Sequence, residues 1–269
     1  MKTKSNHFEI VLTLIIGISI LLWGFLPSPG FCKTQELVIA GAASLTDALT
    51  EITQQYETSH PTIKIHLNLA SSGVLQQQIE QGAPIDVFLS ASSVQMDKLE
   101  KKSLIIPESR FTFASNQIVL AVPTGSKVKS WSDLTTQKVK RIAIGNPDTV
   151  PAGMYAKEAL TSLKLWDQVQ SKLVMAENVR QAMTYVQDHN VEAGLLFKTD
   201  TLAGKSLQVA ALAPANSHRK IEYPAAIIKS SHTPLEAEKF IQYLKTRSSK
   251  SIFEKWGFIL EKPQKKAAR

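Results

Sequence analysis

Four short stretches of this chain place a Ser, an Ala or a Val where a helix should begin, and none of them needs a lysine. They are Ala42-Ala43-Ser44-Leu45-Thr46-Asp47, Ala70-Ser71-Ser72-Gly73-Val74, Val150-Pro151-Ala152-Gly153-Met154-Tyr155 and Ala176-Glu177-Asn178-Val179-Arg180. The first turn of a helix leaves backbone N–H groups unpaired, and the aligned peptide dipoles add about half a positive charge there. Such an end binds anions without any cationic side chain. Four of them converging would hold a small tetrahedral dianion through neutral donors: hydroxyls of Ser44, Ser71 or Ser72, and early helical amides such as those of Ala152, Gly153 and Val179. Each stretch alone also reads as ordinary helix punctuation. Ser44 and Asn178 suit an N-cap, and Pro151 suits the first helical position. What favours a site is their shared place at the carboxyl ends of strands, where open α/β sheets bind ligands.

Signatures of catalysis are missing. The six histidines, His7, His60, His66, His189, His218 and His232, show no metal-ligand spacing and read as surface residues. No phosphate-binding glycine loop, nucleophile elbow or dinucleotide fingerprint is present. The expectation is a binding protein without catalytic residues or cofactor, and with no metal beyond that of a bound oxyanion. An enzyme on the same fold with a covalent cofactor would need a reactive cysteine in its cleft. Cys32, the one cysteine, lies in the N-terminal segment.

The elements that must position these stretches are legible. Leu37 to Ala40 is a short buried strand, and Leu45, Ala48, Leu49, Ile52 and Tyr56 fall on one face of a helix. Ile63, Ile65, Leu67 and Leu69 alternate as a strand, Val74 to Gln81 is helical, and Gly82 suits its C-terminal cap. Strands follow at 86–89, 118–122, 142–144, 193–197, 207–212 and 223–228, with a short helix from Trp131 and a longer one over 155–163. Near the end, Leu235 to Leu244 is expected as a helix carrying Leu235, Phe240, Ile241 and Leu244, with Phe253, Trp256 and Phe258 at the packing end of another. Strands alternating with helices imply mainly parallel sheets. The order suggests an α/β chain of two lobes joined by a two-crossing hinge, each lobe a mainly parallel sheet flanked by helices. The expected division is 33–118 and 222–261 for the first lobe and 119–221 for the second.

Residues 1–32 read as a secretory signal. Lys2 and Lys4 precede an apolar run from Ile10 to Leu22, and Pro27, Pro29 and Gly30 follow. Cleavage is expected near Gly30 or Cys32. Phe31 stands where a small residue should precede a lipidated cysteine, so a lipoprotein is the lesser alternative, as is an uncleaved anchor. Removing this segment, with Lys2, Lys4 and Glu9, takes the formal charge from +8 to +7. Lys262, Lys265, Lys266 and Arg269 carry four of those charges, so residues 33–261 keep only +3 and 262–269 form a basic tail. A nucleic-acid partner would need a basic stripe interleaved with aromatics, and there is none.

The motifs Ala-Ala-Ser-Leu-Thr-Asp-Ala (42–48), Ala-Ser-Ser-Gly (70–73), Gly-Ala-Pro-Ile-Asp-Val-Phe (82–88), Val-Pro-Ala-Gly-Met-Tyr-Ala-Lys-Glu-Ala-Leu (150–160) and Ala-Glu-Asn-Val-Arg (176–180) carry a resemblance. Over residues 36–260 the chain resembles the periplasmic molybdate-binding proteins of ABC importers. The resemblance implies a type II periplasmic binding fold, a monomer, capture of molybdate and also tungstate, and delivery to a membrane permease. It implies ligand contacts at Ser44, Ser72, Ala152 and Val179. That family also brings a tyrosine hydroxyl to the ligand from the strand Gly194-Leu195-Leu196, where this chain continues with Phe197. Two alternatives stay open: a binder of sulfate or another oxyanion, and a ligand-sensing domain rather than a transport component.

Overall fold

The computed structural model describes residues 34–260; the signal reading of 1–32 and the basic tail 262–269 lie outside the described residues. Among the described residues ten strands are present: β1 (Gln35–Ala42), β2 (Ile63–Ala70), β3 (Val87–Leu89), β4 (Phe111–Ser115), β5 (Ile118–Pro123), β6 (Ile142–Gly145), β7 (Leu173–Ala176), β8 (Ala193–Phe197), β9 (Leu207–Leu212) and β10 (Glu222–Ile227). Nine α-helices accompany them: α1 (Thr46–Ser59), α2 (Ser72–Glu80), α3 (Ser93–Lys101), α4 (Pro151–Ser162), α5 (Trp166–Val169), α6 (Val179–Gln187), α7 (Lys198–Ala203), α8 (Pro234–Leu244) and α9 (Arg247–Lys255).

The strands form two five-stranded sheets, ordered β2-β1-β3-β10-β4 and β7-β6-β8-β5-β9. In each sheet only the fourth strand, β10 or β5, runs against the others. Both are the strands by which the chain enters a sheet from the other lobe. The two lobes therefore share one winding, and mainly parallel sheets result. The crossings lie just ahead of these strands rather than inside them. Ile118 already pairs with Phe197 in the second sheet, and Glu222 with Ser115 in the first.

Register brings the helix starts together. Ala42 pairs with Ala70, so β1 and β2 end level and release α1 and α2 side by side. Gly145 pairs with Ala176, so β6 and β7 do the same for α4 and α6. Parallel strands leave their sheet at one edge, so two strand-to-helix turns per lobe meet there.

The helices are fixed by burial. Leu45, Ala48, Leu49, Ile52 and Tyr56 are all within 1% of full burial, as the spacing of α1 requires; each large apolar side chain so buried contributes roughly 1.5–3 kcal/mol. The helix expected over 235–244 is present as α8, on which Leu235 is 78% exposed. It begins α8 about half a turn away from Phe240, Ile241 and Leu244, at 100° per residue, and so faces water. Strand β4 and helix α3 were not anticipated from the sequence.

Candidate functional site

Ser44, Ser72, Ala152, Val179 and Phe197 line one cavity, together with Ala42, Ala43, Ser71, Ala91, Val150 and Pro151. Its atom-free space is about 190 Å³. That figure includes space open to solvent; the enclosed part is about 10 Å³, on the order of one water. No lining residue is ionisable. The site as it stands is tightly closed.

Ser44 departs from the expected cap: it sits inside a 3₁₀ turn, Ala43–Leu45, that precedes α1. Its Oγ lies 3.0 Å from the hydroxyl of Tyr223 on β10. Tyr223 is fully buried and also accepts from Asn116 Nδ2 at 3.1 Å. Burial pushes its phenol well above the ordinary value, while the Ser44 contact pulls the other way. Tyr223 thus stays a neutral hydroxyl. The sequence marked it only as a strand residue. The available signal was a phenol within the run Pro224-Ala-Ala-Ile227, since a buried tyrosine hydroxyl needs a partner.

Ser72 opens α2, and its Oγ accepts from the Ala91 N–H at 3.0 Å, leaving its own proton free to be donated. Ser71 is the N-cap residue but makes no side-chain cap bond, and its buried Oγ has no partner. In the second lobe, Pro151 occupies the first position of α4, so the amides of Ala152 and Gly153 are among those the helix leaves unpaired. A Cβ on Gly153 would lie 1.8 Å from the Gly145 oxygen, so only glycine lets α4 start this close to the end of β6. Asn178 caps α6 by accepting from Gln181 N–H at 3.0 Å, which leaves the Val179 amide at the first helical position.

Phe197 is 1% exposed, with its ring centroid 6.4 Å from that of Tyr155 and 5.8 Å from that of Tyr223. It is both a cavity wall and a core residue. Burial raises the Tyr155 phenol behind it to about 12.

The lobes touch around the cavity. Gly73 N–H donates to the Thr149 carbonyl at 2.9 Å. Arg180 reaches across to Asp47 and also lies 3.2 Å from Asp200 within its own lobe. It therefore pairs with carboxylates beside the cavity instead of lining it. Asp200 is fully buried, which pushes its carboxyl up to about 6 against the pull of Arg180.

Two sheets of the same winding, with a neutral cage where their parallel strands end, define a two-lobed solute receptor. The chain belongs to the bacterial extracellular solute-binding proteins, whose family model matches residues 37–259. Binding, not catalysis, is this family's role. A putative ABC transporter substrate-binding lipoprotein of Bacillus subtilis is 42% identical over 231 residues, covering 85% of this chain and 88% of that protein. The molybdate-binding protein ModA of Haemophilus influenzae is 34% identical over 235 residues, covering 85% and 91%. Among solved structures, the periplasmic molybdate-binding protein of Azotobacter vinelandii superposes with a TM-score of 0.76 at 27% identity, covering 84% of this chain and all of that one. The described residues contain no helix long and apolar enough to cross a membrane.

Proposed function

We propose that this protein captures molybdate, and tungstate with it, in the periplasm and delivers it to the permease of an ABC importer. The observation that carries the reading is a small cavity whose polar groups are hydroxyls and helix-start amides, in a chain 34% identical to a molybdate-binding protein. The donors are Ser44 and Ser72 Oγ and the amides of Ala152 and Val179. When Tyr223 donates to Ser44, the Ser44 proton turns to the ion, just as the Ala91 amide frees the proton of Ser72. Each serine is then an acceptor toward the protein and a donor toward the ligand. Hydrogen bonds to a charged group are the stronger kind, and donors in a dry cleft need no cationic partner.

The same arrangement selects a fully deprotonated ion. Because the cage presents its protons to the ion, a fully deprotonated oxyanion uses every donor, and hydrogen phosphate, which brings a proton of its own, is disfavoured. Sulfate is the rival, separated from molybdate only by size. The lobes 33–118 with 222–261 and 119–221 close on the ion about their two crossings, and the protein acts as a monomer. Residues 1–32 direct export and are cleaved near Gly30 or Cys32. Calorimetric titration with molybdate, tungstate, sulfate and phosphate tests the reading. Tight, similar binding of the first two with weak sulfate and absent phosphate is expected. Tighter sulfate than molybdate would reassign the substrate. Intact mass of the exported protein checks the cleavage.

A further inference from the structure

Ser71 is the one buried hydroxyl that both lines the cavity and lacks a partner among the described residues. Its Oγ is buried with no hydrogen bond, and the residue is 3% exposed. The other buried hydroxyls without partners, on Tyr56, Tyr155, Ser217 and Thr233, belong to residues that do not line the cavity. A buried polar group left unpaired is costly and calls for an explanation.

Local structure removes the ordinary one. A serine at the N-cap normally accepts from the second or third helical N–H. In α2 the second of these, on Gly73, is taken by the Thr149 carbonyl of the other lobe at 2.9 Å, and Ser71 makes no cap bond. One of the two amides that a serine cap takes is thus satisfied across the cleft. The Ser71 hydroxyl is left beside Ser72, at the start of a nine-residue helix that faces the cavity. On the opposite wall, Phe197 offers no hydrogen-bonding group.

We propose that Ser71 Oγ donates to the bound oxyanion, supplying from the first lobe the side-chain donor that Phe197 cannot supply from the second. The proposal rests on the oxyanion reading of the cavity. It makes the first lobe's contribution three hydroxyls, those of Ser44, Ser71 and Ser72, of which Ser71 alone holds no protein partner before the ion arrives.

The test is calorimetric titration of wild type, Ser71→Ala, Ser71→Thr, Phe197→Tyr and Ser71→Ala/Phe197→Tyr with sodium molybdate, alongside ligand-free melting. Ser71→Ala is expected to weaken binding tenfold or more without lowering the ligand-free melting temperature, because the free protein loses no hydrogen bond. Ser71→Thr, which keeps a hydroxyl, is expected to stay within a few-fold of wild type. Phe197→Tyr is expected to recover more affinity in the Ser71→Ala background than it adds to wild type. Molybdate affinity unchanged in Ser71→Ala overturns the proposal and leaves the proposed function standing. A lower melting temperature with unchanged affinity assigns Ser71 a structural role and also overturns it. Wild type that binds neither molybdate, tungstate nor sulfate removes the oxyanion reading itself, and this proposal with it.

Discussion

The first and second lobes share a strand order yet meet the cavity with different chemistry. The first contributes Ser44, Ser71 and Ser72 beside small alanines; the second contributes the side chains of Val150, Pro151, Ala152, Val179 and Phe197, all apolar. Its polar contribution is confined to backbone amides. Topology delivers two helix starts per lobe, and side-chain choice then decides what each start can say to a ligand. Amides bind charge wherever a helix begins; hydroxyls can be re-aimed, exchanged or removed one at a time. Selectivity that can change by point substitution therefore sits mainly in the first lobe.

The comparison breaks most sharply at the serines. Ser44→Ala or Ser72→Ala should each cost about 1.5–3 kcal/mol of binding, tenfold or more in affinity. Val179→Ala, which keeps its amide, should change affinity less than about twofold. Titration of the three variants checks the contrast, and equal losses in all of them would erase it.

Next in size is Gly73→Ala. Its Cβ would stand 2.5 Å from the Thr149 oxygen, a backbone atom of the other lobe. Overpacking of this kind costs of order 1–3 kcal/mol, and here only the closed form suffers. Affinity should fall while ligand-free melting holds, and scattering should report a more open molecule with ligand present.

Phe197→Tyr sharpens the comparison from the other side by giving the second lobe a side-chain donor. The ring already lines the cavity, so binding should tighten, by up to about 1.5 kcal/mol where the new hydroxyl reaches the ion. A drop in melting temperature without tighter binding would show the hydroxyl stranded among Tyr155 and Tyr223.

The last effect is on stability rather than on binding, and concerns the acid beside the cleft. Burial raises the Asp200 carboxyl to about 6 from near 3.9, so the folded protein holds a proton that the unfolded chain has released. That contribution is fully present below about pH 4 and is lost as pH rises through 6. The stability of wild type relative to Asp200→Asn should therefore decline from pH 4 to about 6.5. Denaturant unfolding at stepped pH measures it, and a rising difference would contradict the assignment.

Much of this architecture was legible because it rests on short-range signals. The face of α1, the alternation of β2 and the small residues before each helix start are local patterns that marked the helix starts, and the family resemblance singled out Ser44, Ser72, Ala152 and Val179, which line one cavity from both lobes. The rest depends on partners far along the chain. Tyr223 lies 179 residues from Ser44, and no local spacing announces their contact. Ser71 looked interchangeable with Ser72 until the Thr149 carbonyl took the amide it would have capped. Strand β4 escaped notice because its two buried residues, Phe113 and Ala114, are adjacent, so its five residues carry no period-two alternation.

The seam between the lobes has a consequence for how a permease reads its cargo. One neutral hydrogen bond, from Gly73 to Thr149, is worth about 0.5–1.5 kcal/mol. The partly exposed pair of Arg180 and Asp47 adds roughly 0–1 kcal/mol. Together these bias an empty molecule toward its shut form by roughly 0.5–2.5 kcal/mol, from about thermal energy to a few times it, so unloaded copies still populate the open form. An ion engaging both lobes at once adds several charge-assisted bonds available only in the shut form. Occupancy is thereby converted into a population difference large enough for a docking partner to count. A protein locked shut by its own seam would look full when empty; the thinness of this one keeps the signal truthful.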